Sequence, residues 1–477
     1  MFSYCVVSKA PSCVWANNKI ITDRIDGAYY RNDSLEDVKK VNDFICSKNI
    51  GEFFEVSKLS GFEYTDYFTK QNLENGTVIA LTSQNILEND ISFNNVIKIP
   101  YEVHNQLGRS KILQNDILMS YTGQYRRTCV ASKNMELHLG PNICRLRNTR
   151  GDIDKHFIST YLNSKYGQSI LDREKTVSAQ PTVNMSRIRE IVIPIPSPEI
   201  QKYIGDKVRK AEELREKAKR LKKEAEEIIA IELKFSELEN VLNENNTRLD
   251  WFEQSLVGSR CDSQFYINKT SMVNKKIKKL GLELQTISDI AKVGKGFSYA
   301  NDYGINEIPY VRISDLNELE IDFDNVVYTD MHTYNLKKAS KLEKYDLILA
   351  ITGATIGKVS IFISDEIDKA TLSADTAYIR FNDFIDAAYV LLYLRSDIGS
   401  LAIQQGITGA TNKHLAVDHI MNICIPKLCK KFKEKILLNV TEAVKSIYYS
   451  KQLIQEAKKD VEELIEGNFD MSKLNQS

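Results

Sequence analysis

The sequence predicts an α+β protein built by tandem duplication: two mixed domains, each followed by a long helix. The two helices are expected to pair as an antiparallel coiled coil about an internal pseudo-two-fold. Three observations predict this. Six sequence blocks recur in one order at nearly the same offset. An apolar seam with heptad spacing follows the last block of each copy. Between the blocks lie short alternating runs separated by turn residues.

The repeat comes first, because a fixed period decides the architecture before any single element does. Arg24-Ile-Asp-Gly-Ala-Tyr-Tyr30 lies over Arg260-Cys-Asp-Ser-Gln-Phe-Tyr266, and Gly61-Phe-Glu-Tyr over Gly296-Phe-Ser-Tyr. The stretch from Val78 lies over the stretch from Tyr310, and Asn115-Asp-Ile-Leu over Tyr345-Asp-Leu-Ile. Tyr161-Leu-Asn-Ser164 lies over Tyr393-Leu-Arg-Ser396, and Arg189-Glu-Ile-Val-Ile-Pro194 over Met421-Asn-Ile-Cys-Ile-Pro426. Every pair is separated by 230 to 236 residues.

The helices come next. Ile436, Val440, Ala443, Ile447, Ser450, Ile454, Ala457, Val461 and Leu464 alternate steps of four and three, the signature of a coiled-coil seam. Ala211, Leu214, Ala218, Leu221, Ala225 and Ile228 repeat that pattern after Ile204 and Val208. Small alanines on both seams allow close approach, and the equivalent positions in the repeat favour pairing of the two helices. The boundaries expected are a domain over 1–198, a helix over 199–245, a domain over 246–430 and a helix over 431–477.

Within the domains, Thr77–Leu81, Ile117–Tyr121, Ile143–Leu146, Tyr310–Ile313, Leu347–Ile351 and Ala377–Phe381 read as short strands. Asp154–Asn163 and Ile385–Arg395 read as helices.

Several chemistries are not encoded. Gly353-Ala-Thr-Ile-Gly357-Lys358 has too few residues between its glycines for a phosphate loop, and Val359 follows the lysine. It reads as a hairpin turn whose glycines supply positive φ. His414 and His419 stand near no cysteine pair, so no metal site is expected. No GxSxG, HExxH or dinucleotide GxGxxG motif occurs, and no Asn-Pro-Pro-aromatic run of the kind that holds a flipped adenine. The sequence therefore argues against catalysis by this chain. The eight cysteines form no CxxC pair and read as reduced, mostly packed thiols. No secretory leader or run of about 18 apolar residues is seen, which points to a cytoplasmic protein.

The blocks resemble the specificity subunits of type I restriction-modification systems. The second copy carries Leu284-Gln-Thr-Ile-Ser-Asp-Ile-Ala, Gly296-Phe, Ile308-Pro-Tyr-Val-Arg312-Ile-Ser-Asp, Thr352-Gly-Ala-Thr-Ile-Gly357 and Gly409-Ala-Thr-Asn-Lys413-His-Leu. The first copy diverges, with Ala80-Leu-Thr-Ser-Gln84-Asn and Tyr121-Thr-Gly123-Gln-Tyr-Arg-Arg127 at equivalent places. The resemblance covers nearly the whole chain, from about Asp23 to about Glu466.

It implies two target-recognition domains with conserved helical spacers, reading a bipartite DNA target for phage defence. Double-stranded DNA and two modification (methyltransferase) subunits are the implied partners, with restriction (motor-nuclease) subunits for cleavage. S-adenosylmethionine, ATP and Mg are expected on those partners and none in this chain. The alternatives are the equivalent subunit of another methylation-linked defence system and a coiled-coil adaptor with no DNA role. Gene neighbours separate the first from a type I system, and selective DNA binding separates the second.

Base edges are read by Arg, Lys, Asn and Gln, and phosphates are held by cations and hydroxyls. The DNA-binding candidates in the first domain are Arg109, Lys111, Gln124, Tyr125, Arg126, Arg127, Gln180 and Asn184. In the second they are Lys295, Tyr299, Arg312, Thr355, Lys358, Asn412 and Lys413. The clusters Lys275, Lys276, Lys278, Lys279 and Lys430, Lys431, Lys433, Lys435 read as solvated helix faces. Lys plus Arg equals Asp plus Glu at 64 each, so any grip on DNA must be local or shared with a more basic partner.

Overall fold

The computed structural model describes residues 24, 27–122, 127–151, 153–176, 180–243, 269–298, 307–409 and 411–476. Gln124, Tyr125, Arg126 and Tyr299 lie outside the described residues. The chain forms two compact units. One comprises Met1–Glu213 with Ser450–Ser477, and the other Leu214–Tyr449.

In the first unit, Phe54–Lys58, Ile143–Asn148, Ile117–Ser120 and Thr128–Val130 form an antiparallel sheet in that spatial order. A second sheet runs Ile97–Ile99, Val78–Leu81, Leu137–Leu139, Lys111–Ile112, with one parallel pair, Val78–Leu81 beside Leu137–Leu139. The second unit repeats both. Ala291–Lys295, Thr376–Phe381, Leu347–Ala350 and Val359–Ile361 form the antiparallel sheet. Val327–Thr329, Ile308–Val311 and Thr371–Leu372 form the mixed one, again with its parallel pair in place. The Ile-x-Ile-Pro blocks supply the final strands, Val192–Pro194 on Ser47–Asn49 and Cys424–Pro426 on Leu284–Thr286.

The repeat extends to side chains. Arg147 grips Asp116 with two bonds of 2.9 and 2.7 Å and donates to the Lys111 carbonyl. Arg380 grips Asp346 at the same two distances and donates to the Lys341 carbonyl. The Tyr-x-x-Ser blocks mark the junction of two helices. Ser164 and Ser396 donate their hydroxyls to the carbonyls of Tyr161 and Tyr393. Gly167 and Gly399 follow, each so close to its tyrosine carbonyl that a Cβ would lie 2.2 or 2.0 Å away. A larger residue cannot turn that corner.

The helices Lys155–Asn163 and Ile385–Arg395 agree with the sequence reading, Asp154 capping the first through its carboxylate. The turn at Gly353 and Gly357 also agrees, with φ of +79° and +98°. The helical segments are shorter than expected. The first long helix is Pro198–Glu232, about 50 Å at 1.5 Å per residue. It breaks where Lys234 adopts a φ of +54°, and Phe235–Asn243 starts a separate helix. The expected single helix over 199–245 is thus two. The second long helix is Lys430–Ile465, and Gly467 at φ +76° turns the chain away from the helix expected to reach 477.

Each unit contains a stretch of both long helices. In the first, Ile204, Val208 and Ala211 are buried, as are Ile454, Ala457 and Val461. Lys207 there bonds Asp460 at 2.6 Å. In the second, Ala218, Ala225 and Ile229 share one apolar core with Ile436, Val440 and Ala443. Ile229, rather than Ile228, is the fully buried seam residue at that end. Lys433 is a correction to the solvated-face reading: its ammonium pairs with the buried carboxylate of Asp386. Of the described cysteines, Cys129 and Cys144 are buried, Cys424 is partly covered, and Cys46 and Cys429 are exposed.

The first unit also buries two histidines edge to face, their rings inclined at 66°, with His104 Nδ1 lying 3.1 Å from His138 Nδ1. One ring must accept through an unprotonated Nδ1, so the contact cannot survive protonation of both rings. Burial lowers both, and with the His104 ring beside it His138 falls from 6.5 to about 4. A depressed histidine pKa contributes stability above its unfolded value and loses it as pH falls toward the folded one. The unfolding free energy of the first unit should therefore decline between pH 6.5 and about 4, by roughly 3 kcal/mol in all. His138→Asn should flatten that decline; an unchanged slope would assign it to other groups.

Candidate nucleic-acid interface

In the second unit the described candidates converge on one end of the antiparallel sheet. Lys295 ends its strand opposite Ala377, Ala350 ends its strand opposite Thr376, and Val359 begins its strand opposite Leu349. These strand ends lie at one end of the sheet, the start of Thr376–Phe381 standing between the first two, so Lys295, the turn with Thr355, and Lys358 emerge on the same side. The hairpin of Ile407–Thr408 and His414–Leu415 closes on the same turn. Thr352 bridges His414, and the Gly353 amide donates to the Lys413 carbonyl at 3.2 Å. That bridge delivers Asn412 and Lys413 to the cluster. Thr352 is held from the other side by Asp375, whose carboxylate accepts its hydroxyl at 2.7 Å.

Lys295, Thr355, Lys358, Asn412 and Lys413 are all exposed. None of the three lysines has a carboxylate partner among the described residues; Lys358 donates to the Leu316 carbonyl at 3.0 Å. Arg312 follows the parallel strand Ile308–Val311, beside Ser373, whose amide donates to the Val311 carbonyl. Its guanidinium is engaged, bonding the buried Asp315 and the Asn325 carbonyl.

The first unit builds the same end from different residues. Lys58 stands opposite Cys144 and Ser120 opposite Ile143. Thr122 bridges Thr182, and the Val183 amide donates to the Tyr121 carbonyl. Arg127 stands at the neighbouring strand end, its carbonyl accepting the Ser120 amide at 3.1 Å, while Gln180 and Asn184 flank the Thr182 bridge. The Asn184 side-chain oxygen accepts the Arg187 amide at 2.9 Å and so caps the helix Met185–Glu190. Arg109 and Lys111 are placed by another element, their carbonyls held by Arg145 and Arg147. Lys111 bonds Asn105 at 2.6 Å, and Arg109 is exposed.

Two residues missed in the sequence belong here. Lys58 is the structural counterpart of Lys295, because Cys144 and Ala377 occupy the same register. Its ammonium lies 5.1 Å over the Tyr121 ring, and burial pushes the Tyr121 phenol up, keeping it a hydrogen donor. The sequence blocks hide this because Lys58 lies three residues before its glycine and Lys295 only one. Lys337 stands 5.7 Å over the ring of Phe297, two residues after Lys295.

Both ends present exposed ammonium, hydroxyl and amide groups on loops anchored by a sheet. Among the described residues no three His, Cys, Asp or Glu side chains are grouped to hold a metal. Cations of this kind suit phosphates, and amides suit base edges.

Residues 46–227 match the model of the type I restriction modification DNA specificity domain. That span is similar to a type I specificity domain. The matched span of that domain includes Lys58, Arg127, Gln180 and Asn184 and runs into the first long helix. Over 145 residues the chain is 26% identical to the type I restriction enzyme EcoBI specificity subunit of Escherichia coli, covering 30% of either chain. The chain thus spans about a third of the length of the curated relative it matches. It is also similar to the crystal structure of the type I restriction-modification system S subunit from M. genitalium, at 13% identity and a TM-score of 0.40, covering 90% of this chain and 97% of that one. The HsdS subunit from Thermoanaerobacter tengcongensis aligns over 89% of this chain and 96% of its own, at 13% identity and a TM-score of 0.26. No helix among the described residues is long and apolar enough to cross a membrane.

Proposed function

We propose that this chain is the non-catalytic reader of a type I restriction-modification complex, recognising a two-part DNA target and directing adenine methylation and restriction by partner subunits. One observation carries the reading: the bridged sheet end inside the matched specificity domain recurs in the second unit, strand for strand, with different exposed side chains. A shared frame with divergent contacts is what a reader of two unlike half-sites needs. Residues 1–198 and 246–430 are the proposed target-recognition domains, and 199–245 and 431–477 the helical spacers.

The spacers are proposed to run antiparallel. In the first unit Lys207 reaches Glu456 and Asp460, while the earlier Tyr203 meets the later Phe469. In the second unit Lys217 pairs with Glu442. Their length would set the gap between half-sites, as dimer geometry does in other DNA readers. Two modification subunits would dock on these helices, bringing S-adenosylmethionine and the base-flipping pocket. Motor-nuclease subunits with ATP and Mg would join for cleavage.

Selection from a randomised duplex library by the assembled complex tests the proposal. Two short motifs at a constant gap should be enriched; a single contiguous motif or no enrichment would sink it. Replacing Lys295, Lys358 or Lys413 with alanine should weaken binding about equally on all sequences and lower the salt slope by about one each. A variant with an unchanged slope would place that lysine off the phosphates.

A further inference from the structure

The repeated block Arg24-x-Asp-x-x-x-Tyr30 lies outside the sheet ends that present the candidate readers, yet it recurs as Arg260 to Tyr266. In the first unit its arginine has a defined task. The helix Lys165–Glu174 ends with carbonyls that its own backbone cannot satisfy. Arg24 donates one nitrogen to the Arg173 carbonyl at 3.2 Å and another to the Lys175 carbonyl at 3.0 Å. Its guanidinium also lies 4.6 Å over the Tyr29 ring. Arg173 in turn donates to the Tyr29 carbonyl at 3.0 Å. The clamp is therefore tied at both ends.

The next residue after the clamped carbonyl enters the interface. The Thr176 amide donates to the Thr182 carbonyl at 2.8 Å, and Thr182 bridges Thr122 at the sheet end. One unbroken set of contacts thus joins Arg24 to the backbone that carries Gln180 and Asn184. We infer that Arg24 is a positioning residue for the first half-site: it touches no DNA and fixes the helix end from which the reading segment departs. The duplication assigns the corresponding task to Arg260 for the second half-site; Arg260 lies outside the described residues.

This inference rests on the two-part reading proposed above. Its test uses the complete methylating complex with wild-type chain, Arg24→Ala and Arg24→Lys. Methylation is measured on the native target and on all single-base variants of each half-site, together with the salt dependence of binding. Arg24→Ala should lose on the order of 10- to 100-fold in rate, the scale of a misplacement remote from the chemistry. It should relax discrimination at one half-site only, with an unchanged salt slope, since no phosphate contact is removed. Arg24→Lys keeps the charge but lacks the fork that reaches two carbonyls, so it should relax the same half-site. If Arg24→Ala does not fold, Arg24→Lys decides alone. Equal relaxation at both half-sites, a shallower salt slope, or unaltered discrimination overturns the inference. A wild-type complex with no two-part target overturns the underlying reading, and the inference with it.

Discussion

Arg380→Ala is expected to destabilise the second unit by about 3–5 kcal/mol, the scale for leaving a buried carboxylate without its partner. Asp346 is almost wholly buried and accepts two bonds from Arg380 and one from the Glu343 amide. Burial already holds this carboxyl above its ordinary value despite the guanidinium. Without Arg380 it should rise further. A raised folded pKa gives relative stability at low pH that is lost as pH rises, so the variant's deficit should shrink on acidification. Arg147→Ala should behave alike in the first unit, where Asp116 occupies the same position. Lys445→Ala, which breaks an exposed pair with Asp365, should stay within about 1 kcal/mol. Urea unfolding, with hydrogen exchange of the strand Leu347–Ala350 as the local probe, reads all three. Equal losses in Arg380→Ala and Lys445→Ala would deny the buried pair its role.

The second large effect concerns the proposed ruler. One heptad inserted within Lys207–Glu239, with a matching heptad in the second long helix to keep the seams in phase, adds about 10 Å of helix. At 3.4 Å per base pair this corresponds to about three extra base pairs between half-sites. Methylation at the native spacing should fall by orders of magnitude, while a target with the longer gap is gained. A variant that keeps the native spacing would contradict the ruler.

The duplication was legible in the sequence because it rests on backbone-determining residues. The buried Asp of each strand turn, the serine at each helix junction and the Ile-x-Ile-Pro strands recur for reasons of geometry. So were the strands and the two Ala-rich seams, whose periodicity follows burial. Helix ends were less legible. Lys234 adopts a left-handed conformation that nothing in its side chain announces. The candidate interface was legible only in part. Lys58 escaped because register, not alignment of blocks, makes it the partner of Lys295. Asn184 and Arg312 show the opposite difficulty. Short polar and planar side chains often serve their own backbone, and here one caps a helix while the other braces Asp315. Lys433 looked like a surface charge until Asp386, far away in sequence, appeared beside it.

Whether this chain aims a methylating complex at a two-part target is decided by genome-wide adenine methylation in a host expressing the partner subunits, compared with and without this gene. One split motif of constant gap should be methylated with the gene and unmodified without it. A methylation pattern identical in the two strains would contradict it.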